Sequence, residues 1–243
     1  MKGLRAGSQD DPDFDSFMRE HAAYIAALRA AGAEVDILPA LEAFPDSVFV
    51  EDPALVFGEG AILLRPGAPS RRGESAEIAQ ALEQRFSRVL RLAHDEYADG
   101  GDVLVTPNAV IIGLSARTTR KGAEALAAKL AELGRKAVVA ETPKGVLHFK
   151  SACSLLDETT ILATKAMAAS GAFTGYDVVT LPDGEEDAAN ALCVNAVVLA
   201  GSCYPRTLDL LAAKGFNVVP LAINEVRKLD AGLSCMSLRW REM

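Results

Sequence analysis

The sequence is short of the residues that build metal centres and disulfide frameworks. It has only four cysteines, at positions 153, 193, 203 and 235, and three histidines in 243 residues. No Cys-x-x-Cys pair occurs and the histidines lie far apart, so the spacing of a structural zinc site is missing. So few cysteines in a chain of this length favour a reducing compartment over a disulfide-stabilised secreted protein.

Long apolar runs and an excess of basic residues are missing as well. No stretch approaches the about 18 uninterrupted apolar residues that would cross a bilayer. The opening MKGLRAGSQDD lacks the apolar run of a signal peptide, so we expect a soluble, cytoplasmic protein. A formal net charge of -8 disfavours nucleic acid and anionic membranes as partners, and it is compatible with a small cationic ligand.

What the sequence does contain is a repeated pattern of two apolar runs, a helical segment and a further apolar run. The paired runs ALVFGEGAILL, DVLVTPNAVIIGL, CSLLDETTILAT and ALCVNAVVLAG each predict a β-hairpin. The segment DFDSFMREHAAYIAALRAAG-AEVDILP predicts a helix and a strand without their hairpin. One such unit cannot bury its own apolar face. We therefore expect five units closing into a ring, as a single α/β domain over residues 1–243.

Charged or reactive side chains interrupt otherwise good strand sequence at four places. Each has an ordinary structural alternative: an exposed strand end, an entry into a strand, a surface histidine or an apolar buried cysteine. Together they offer a nucleophile, a general acid/base and anchors for a cation, which is the set that an active site needs. The residues concerned are Asp46, Glu51, Asp52, Asp99, His148 and Cys235.

Cys235 is the least ordinary of these residues. In a strand over LSCMSLRW, the more apolar side belongs to Met236, Leu238 and Trp240, so Cys235 faces the other way. His148 is the one histidine inside a predicted strand, in VLHFKS, where it shares a face with Lys150. These two residues are therefore the leading candidates for chemistry.

The motifs FPDSVFVEDPALVF, RPGAPSRRGE, GGDVL, GLSARTTRKGAE, LHFKSACSLL, AANALCVN and DAGLSCMSLRW resemble the dimethylarginine dimethylaminohydrolases. This family belongs to the guanidino-modifying penteins, which are five-bladed α/β propellers. The resemblance runs over nearly the whole chain from Gly3 onward. It implies hydrolysis of Nω-methylated L-arginine to L-citrulline and an amine, with no metal or organic cofactor, and a possible homodimer.

The resemblance also implies a role for each candidate residue. Cys235 matches the nucleophile and His148 the general acid/base, while Asp99 matches the carboxylate that steadies the histidine or contacts the guanidinium. The remaining matches are expected to bind substrate. The acidic residues are expected to line the guanidinium and amino-group sites, and the arginines are expected to bind the substrate carboxylate. The backbone carbonyls of the two leucines are expected to bind the substrate amine. These substrate-binding matches are Asp46, Glu51, Asp52, Arg71, Arg117, Leu4 and Leu229.

The sequence departs from the family at its front, where a further strand should run into Gly3-Leu4. Either the natural start lies upstream, or the sequence is truncated, or the first blade lacks its N-terminal strand. Three alternatives stay open: a deiminase or hydrolase of arginine or another guanidino compound, a non-catalytic pentein that binds a partner, and an enzyme-like chain made inactive by the missing strand.

Overall fold

A hairpin, a helix and a third strand recur four times along the chain. The computed structural model describes residues 3–5 and 10–242. The helices are α1 (Phe14–Ala30), α2 (Glu74–Arg85), α3 (Arg120–Glu132), α4 (Lys165–Ala168) and α5 (Pro205–Ala213). The strands are β1 (Ala54–Phe57), β2 (Gly60–Leu63), β3 (Val89–Arg91), β4 (Val103–Val105), β5 (Val110–Leu114), β6 (Ala137–Glu141), β7 (Cys153–Leu155), β8 (Thr160–Ala163), β9 (Asp177–Thr180), β10 (Leu192–Val194), β11 (Val197–Gly201) and β12 (Asn217–Leu221).

Each repeat forms a separate three-stranded sheet, in the orders β1-β2-β3, β4-β5-β6, β7-β8-β9 and β10-β11-β12. In the first sheet β1 and β2 pair antiparallel, with Leu55 opposite Ile62, and β2 and β3 pair parallel, with Ile62 opposite Leu90. The same arrangement holds in the other three sheets. The four predicted hairpins are therefore confirmed, and so are the strand predicted after each and the helices predicted after the first, second and fourth. After the third hairpin a poor helix was expected in MAASGAF, and the structure has the single turn Lys165–Ala168 instead.

The strands of the first hairpin are buried on both faces, which explains their continuous apolar runs. Leu55 and Ile62 pack in a cluster with Leu126 and Leu130 of α3. The other face of the hairpin packs against α2 in a cluster that contains Ile78. Successive residues of a strand point to opposite faces, so each hairpin can contact two helices at once.

Four segments predicted as strands take other conformations. AEVDILP forms no strand, because no described hairpin offers it a pairing partner. Residues 48–50, the apolar run within FPDSVFVEDPALVF, form no strand and lie in or beside turns. His148 lies in a bend before the 3-10 helix Phe149–Ser151, and Cys235 lies in the 3-10 helix Leu233–Met236. Short turns of this kind hold the candidate residues beside the sheets.

The chain divides into two compact units. The first comprises Ala40–Lys150 and the C-terminal residues from Cys235 on. The second comprises Ser151–Ser234 and the N-terminal residues up to Pro39. The single domain expected over residues 1–243 stays a prediction. Among the described residues, no helix has both the length and the apolar character to cross a membrane.

Candidate active site

The candidate site of the first unit is built around the imidazole of His148. Its Nε2 lies 3.0 Å from Oδ2 of Asp99, whose Oδ1 accepts a hydrogen bond of 2.7 Å from the Gly67 N–H. The ligand atoms of Asp52, Asp99 and His148 all lie within 4.8 Å of one another. The side chain of Asp99 is only 1% exposed and that of His148 12%. Three residues that are far apart in the sequence thus meet in a site largely shielded from water.

Gly101 is the reason that this cluster can close. A methyl group on Gly101 would lie 2.6 Å from Nδ1 of His148 and 2.8 Å from Oδ1 of Asp52. Because the side chain is absent, the Gly101 N–H comes close enough to donate a hydrogen bond of 2.9 Å to Oδ1 of Asp52. The glycine pair in ADGGDV therefore serves close packing of the site.

The carboxylates give His148 an unusual charge state. Burial lowers the pKa of His148, but the charges of Asp52, Asp102 and Asp99, with the Asp99 hydrogen bond, outweigh it and raise the pKa to about 9. Burial also raises the pKa of Asp52. However, His148, Arg71 and the Gly101 N–H together bring it below its ordinary value. At neutral pH the site therefore holds an imidazolium beside ionised carboxylate.

Arg71 is buried behind Asp52 and is already bonded to protein groups. Its Nη1 pairs with Oδ2 of Asp52, and its Nε and Nη2 bind the carboxylate of Glu74 at 2.7 to 3.1 Å. Nη2 also donates to the carbonyl oxygens of Phe49, at 2.8 Å, and Asp46, at 3.2 Å. At 5% exposure, Arg71 orients Asp52, and these bonds occupy most of the N–H groups expected to hold a substrate carboxylate.

Arg117 differs from Arg71 in its surroundings. Its backbone is fixed, because its N–H donates to Oγ of Ser115 at 2.9 Å and Gly67 packs closely against its carbonyl. Its side chain is half-buried, and no hydrogen bond or ion pair engages the guanidinium within the described part of the chain. Arg117 is thus better placed than Arg71 to bind an anionic group of a ligand.

Glu51 connects the segment of Cys235 to the rest of the site. Its N–H donates to the carbonyl oxygen of Cys235 at 3.2 Å. Its carboxylate pairs with the ammonium group of Lys150 and with Nη2 of Arg239, the latter at 3.1 Å. Cys235 is half-buried, between Ser234 and Met236, which are buried. The carboxylate of Glu51 therefore faces two cations of the protein, whereas a guanidinium ligand was expected there.

The other predicted residues are less informative. Asp46 is 4% exposed and lies in the turn that precedes Glu51. Leu4 and Leu229 belong to the second unit, where Leu4 is exposed and Leu229 ends the 3-10 helix Arg227–Leu229. Their contacts with a substrate amine stay a prediction. A cavity of about 700 Å³ also opens in the second unit, and none of the predicted site residues lines it.

Asp52, Asp99 and His148 are close enough together for three ligand atoms to reach one cation. A metal ion there would compete with the Arg71 guanidinium for Asp52 and with the Gly67 N–H for Asp99. It would also require a deprotonated imidazole, which the raised pKa of His148 opposes. The expectation that no metal takes part stays a prediction.

Several residues of the site were missed in the sequence. Glu74 lies three positions after Arg71, a spacing typical of a helical ion pair that could have indicated it. Asp102 follows the two glycines in GGDVL, and nothing in that local sequence distinguishes it from an ordinary polar residue at the start of a strand. The pairing of Lys150 and Arg239 with Glu51 has no local signal, because the three residues come from distant parts of the chain.

A family model and a relative of known sequence both match this chain over most of its length. The model of the family described as "N,N dimethylarginine dimethylhydrolase, eukaryotic" matches residues 7–169. The N(G),N(G)-dimethylarginine dimethylaminohydrolase of Pseudomonas aeruginosa is 38% identical over 242 residues, which cover 99% of this chain and 94% of the relative.

Solved structures agree in fold. That of a cysteine-to-serine mutant of the P. aeruginosa enzyme, complexed with citrulline, has a TM-score of 0.94 and 36% identity, covering 98% of this chain and 93% of that one. The substrate-bound N-terminal domain of a cyanobacterial arginine dihydrolase has a TM-score of 0.85 at 19% identity, covering 95% and 89%. This second likeness shows the fold alone. The predicted pentein fold class is confirmed by these matches.

Proposed function

Because the chain belongs to the dimethylarginine dimethylaminohydrolase family, we propose that it hydrolyses Nω-methylated L-arginine to L-citrulline, releasing methylamine or dimethylamine. The observation that carries the proposal is the buried cluster of His148, Asp99 and Asp52. Glu51, the residue before Asp52, holds the backbone of Cys235 by a hydrogen bond. The citrulline in the related structure supports the same product here.

The substrate guanidinium is planar and cationic, and its delocalised charge makes it a poor electrophile. In our proposal the carboxylates of Asp52 and Asp99 bind its N–H groups by charge-assisted hydrogen bonds. Arg117 binds the substrate carboxylate, which selects free amino acids. Arg71 keeps Asp52 in place through its ion pair with that carboxylate. Positioning of the central guanidinium carbon beside the thiol makes the attack effectively unimolecular.

In the first half-reaction the thiolate of Cys235 attacks the central guanidinium carbon and forms a neutral tetrahedral adduct. The imidazolium of His148 then donates its proton to the methylated nitrogen, and the C–N bond to the amine breaks. The neutral amine leaves, and a cationic S-alkylthiouronium remains on Cys235. The raised pKa of His148 suits this step, because the residue begins it protonated.

In the second half-reaction the neutral imidazole of His148 removes a proton from a water molecule. The resulting hydroxide attacks the thiouronium carbon, and the C–S bond breaks as the thiolate of Cys235 departs. The protonated ureido group loses one proton to solvent, where the released amine takes it up, and this leaves neutral citrulline. Cys235 and His148 return to their starting states, so the cycle uses only water as a second substrate.

Steady-state kinetics on three substrates test the proposal. We expect release of citrulline from dimethylarginine and monomethylarginine with a higher kcat/KM than from arginine. The preference rests on pocket shape, which is worth only about 1–3 kcal/mol for each small apolar group. A higher kcat/KM for arginine would instead assign a deiminase activity. No citrulline from any substrate, with Cys235 unreactive toward a mild alkylating agent, would favour a non-catalytic binding protein.

We further propose that the enzyme acts as a soluble protein of the cytoplasm on a small cationic amino acid. The composition supports this, with a net charge of -8 and only four cysteines. A homodimer is part of the proposal only as an expectation from the family. Size-exclusion chromatography with light scattering would measure the oligomeric state.

A further inference from the structure

Asp102 is a buried carboxylate to which the proposed mechanism assigns no step. It is 0% exposed and ends the 3-10 helix Gly100–Asp102. Its Oδ1 accepts a hydrogen bond of 2.9 Å from the Phe149 N–H. Its Oδ2 accepts two of 2.6 Å from the hydroxyl groups of Ser115 and Thr118. Burying a carboxylate costs several kcal/mol of folding free energy unless hydrogen-bond donors or cations compensate its charge. The complete set of donors around Asp102 therefore raises the question of what this carboxylate does.

Two of the three residues that donate to Asp102 directly follow predicted site residues. Phe149 follows His148 in the chain, and Thr118 follows Arg117. The Thr118 hydroxyl oxygen also accepts a hydrogen bond of 3.1 Å from the backbone N–H of Asp99.

Ser115 extends this network to the loop of Arg117. Its Oγ accepts hydrogen bonds from the N–H groups of Arg117, at 2.9 Å, and Thr118, at 3.2 Å. One carboxylate, acting through two hydroxyl groups and one amide, is therefore joined to three separate segments of the site.

From this geometry we propose that Asp102 is a positioning residue, whose carboxylate fixes the backbones that carry His148, Asp99 and Arg117 relative to one another. The inference rests on the proposed function. It assigns to Asp102 neither proton transfer nor contact with substrate. Its effect on the reaction passes through the residues that it holds.

The chain offers a matched control in Glu185 of the second unit. Glu185 is 6% exposed, and its Oε2 accepts hydrogen bonds of 2.7 Å from both the N–H and the hydroxyl of Thr207. It is a buried carboxylate with a threonine partner, as Asp102 is, but it contacts no predicted site residue. Glu185→Gln and Thr207→Val therefore remove a buried carboxylate charge and a threonine hydroxyl without touching a predicted site residue.

We expect Asp102→Asn to lower kcat/KM for dimethylarginine by about 100-fold, since a misplacement of 1 Å at a catalytic group can cost about that much. Thr118→Val should lower it by about 10-fold, because it breaks only the link to Asp99. Circular dichroism and thermal melting establish that each variant is folded. If Asp102→Asn does not fold, Thr118→Val compared with Thr207→Val decides the question.

A second measurement is independent of turnover. Three carboxylates face His148, those of Asp52, Asp99 and Asp102, and the Arg71 guanidinium pairs with the first of them. Titration of the labelled imidazole by NMR should give a lower pKa for His148 in Asp102→Asn than in the wild type. In Glu185→Gln it should stay at the wild-type value, because that residue lies outside the site.

The outcomes separate this inference from the proposed function. A large loss of kcat/KM in the Asp102 and Thr118 variants only, with the lowered pKa of His148, supports the inference. Losses no larger than those of the Glu185 and Thr207 variants would overturn it. If the wild type turns over no methylarginine, the proposed function fails. Backbone NMR then decides alone: amide shifts of His148, Asp99 and Arg117 that are perturbed no more in Asp102→Asn than in Glu185→Gln would overturn the inference.

Discussion

Protonation of His148 is expected to make the stability of the protein depend on pH. Burial opposes the charged imidazole, but the surrounding carboxylates raise its pKa from 6.5 to about 9. At 1.36 kcal/mol per pKa unit, this difference stabilises the folded state by about 3 kcal/mol. The contribution is fully present below pH 6.5. It is lost as the pH rises toward 9, because the unfolded chain releases the proton first.

Replacement of His148 by glutamine isolates this contribution. Urea unfolding of the wild type and His148→Gln, at about pH 6 and about pH 9.5, gives the difference in the free energy of unfolding at each pH. We expect that difference to shrink by about 3 kcal/mol between the two pH values. Other titrating groups are shared by the two proteins, so their contributions largely cancel. His94→Gln, at an exposed turn, controls for the loss of a histidine as such.

If the wild type and His148→Gln differ by the same free energy of unfolding at both pH values, the reasoning is refuted. That result would mean that the carboxylates around His148 do not hold its proton in the folded protein. The same charge state also predicts an activity profile, since His148 donates a proton in the first half-reaction. We expect kcat/KM to fall as the pH rises through about 9, with the loss of the imidazolium.

Three further substitutions test other parts of the site. Arg117→Ala should raise KM for dimethylarginine at least about 10-fold with a smaller change in kcat, because the carboxylate anchor is lost; an unaltered KM would show that Arg117 does not bind substrate. Gly101→Ala should lower kcat at least about 10-fold while the protein stays folded, since the methyl group would lie 2.6 Å from Nδ1 of His148. A wild-type kcat in this variant would mean that the backbone at Gly101 shifts at little energetic cost. Glu74→Ala should lower the free energy of unfolding by about 3–5 kcal/mol, because it leaves Arg71 buried without its bidentate partner; chemical denaturation measures this, and a loss below about 1 kcal/mol would contradict it.

The repeated architecture was readable from the sequence because its signals are local. Each hairpin shows two apolar runs around a short turn, and the longer helices show apolar residues three and four positions apart. In α3, for example, the buried positions are Gly122, Ala123, Leu126 and Leu130. The strand predicted in AEVDILP was wrong for a related reason: its apolar residues fit a strand, but pairing depends on a partner elsewhere.

The conformation around the candidate residues was harder to predict. Cys235 and His148 were expected in strands and lie in or beside 3-10 helices. Short turns carry little periodicity, so the alternation of apolar residues was a poor guide there. Their residue types still indicated chemistry, because a cysteine and a histidine among apolar residues are unusual enough to be noticed.

The sequence by itself determined the order of the elements, the apolar faces that bury them and the identities of the residues from which a site could be made. Only the tertiary structure decided how those residues are paired. It joined Arg71 to Asp52 and Glu74, Glu51 to Lys150 and Arg239, and brought three carboxylates around His148. The physical reason is that burial makes an uncompensated charge costly, so each buried group must find partners. Those partners come from whichever segments the fold brings near.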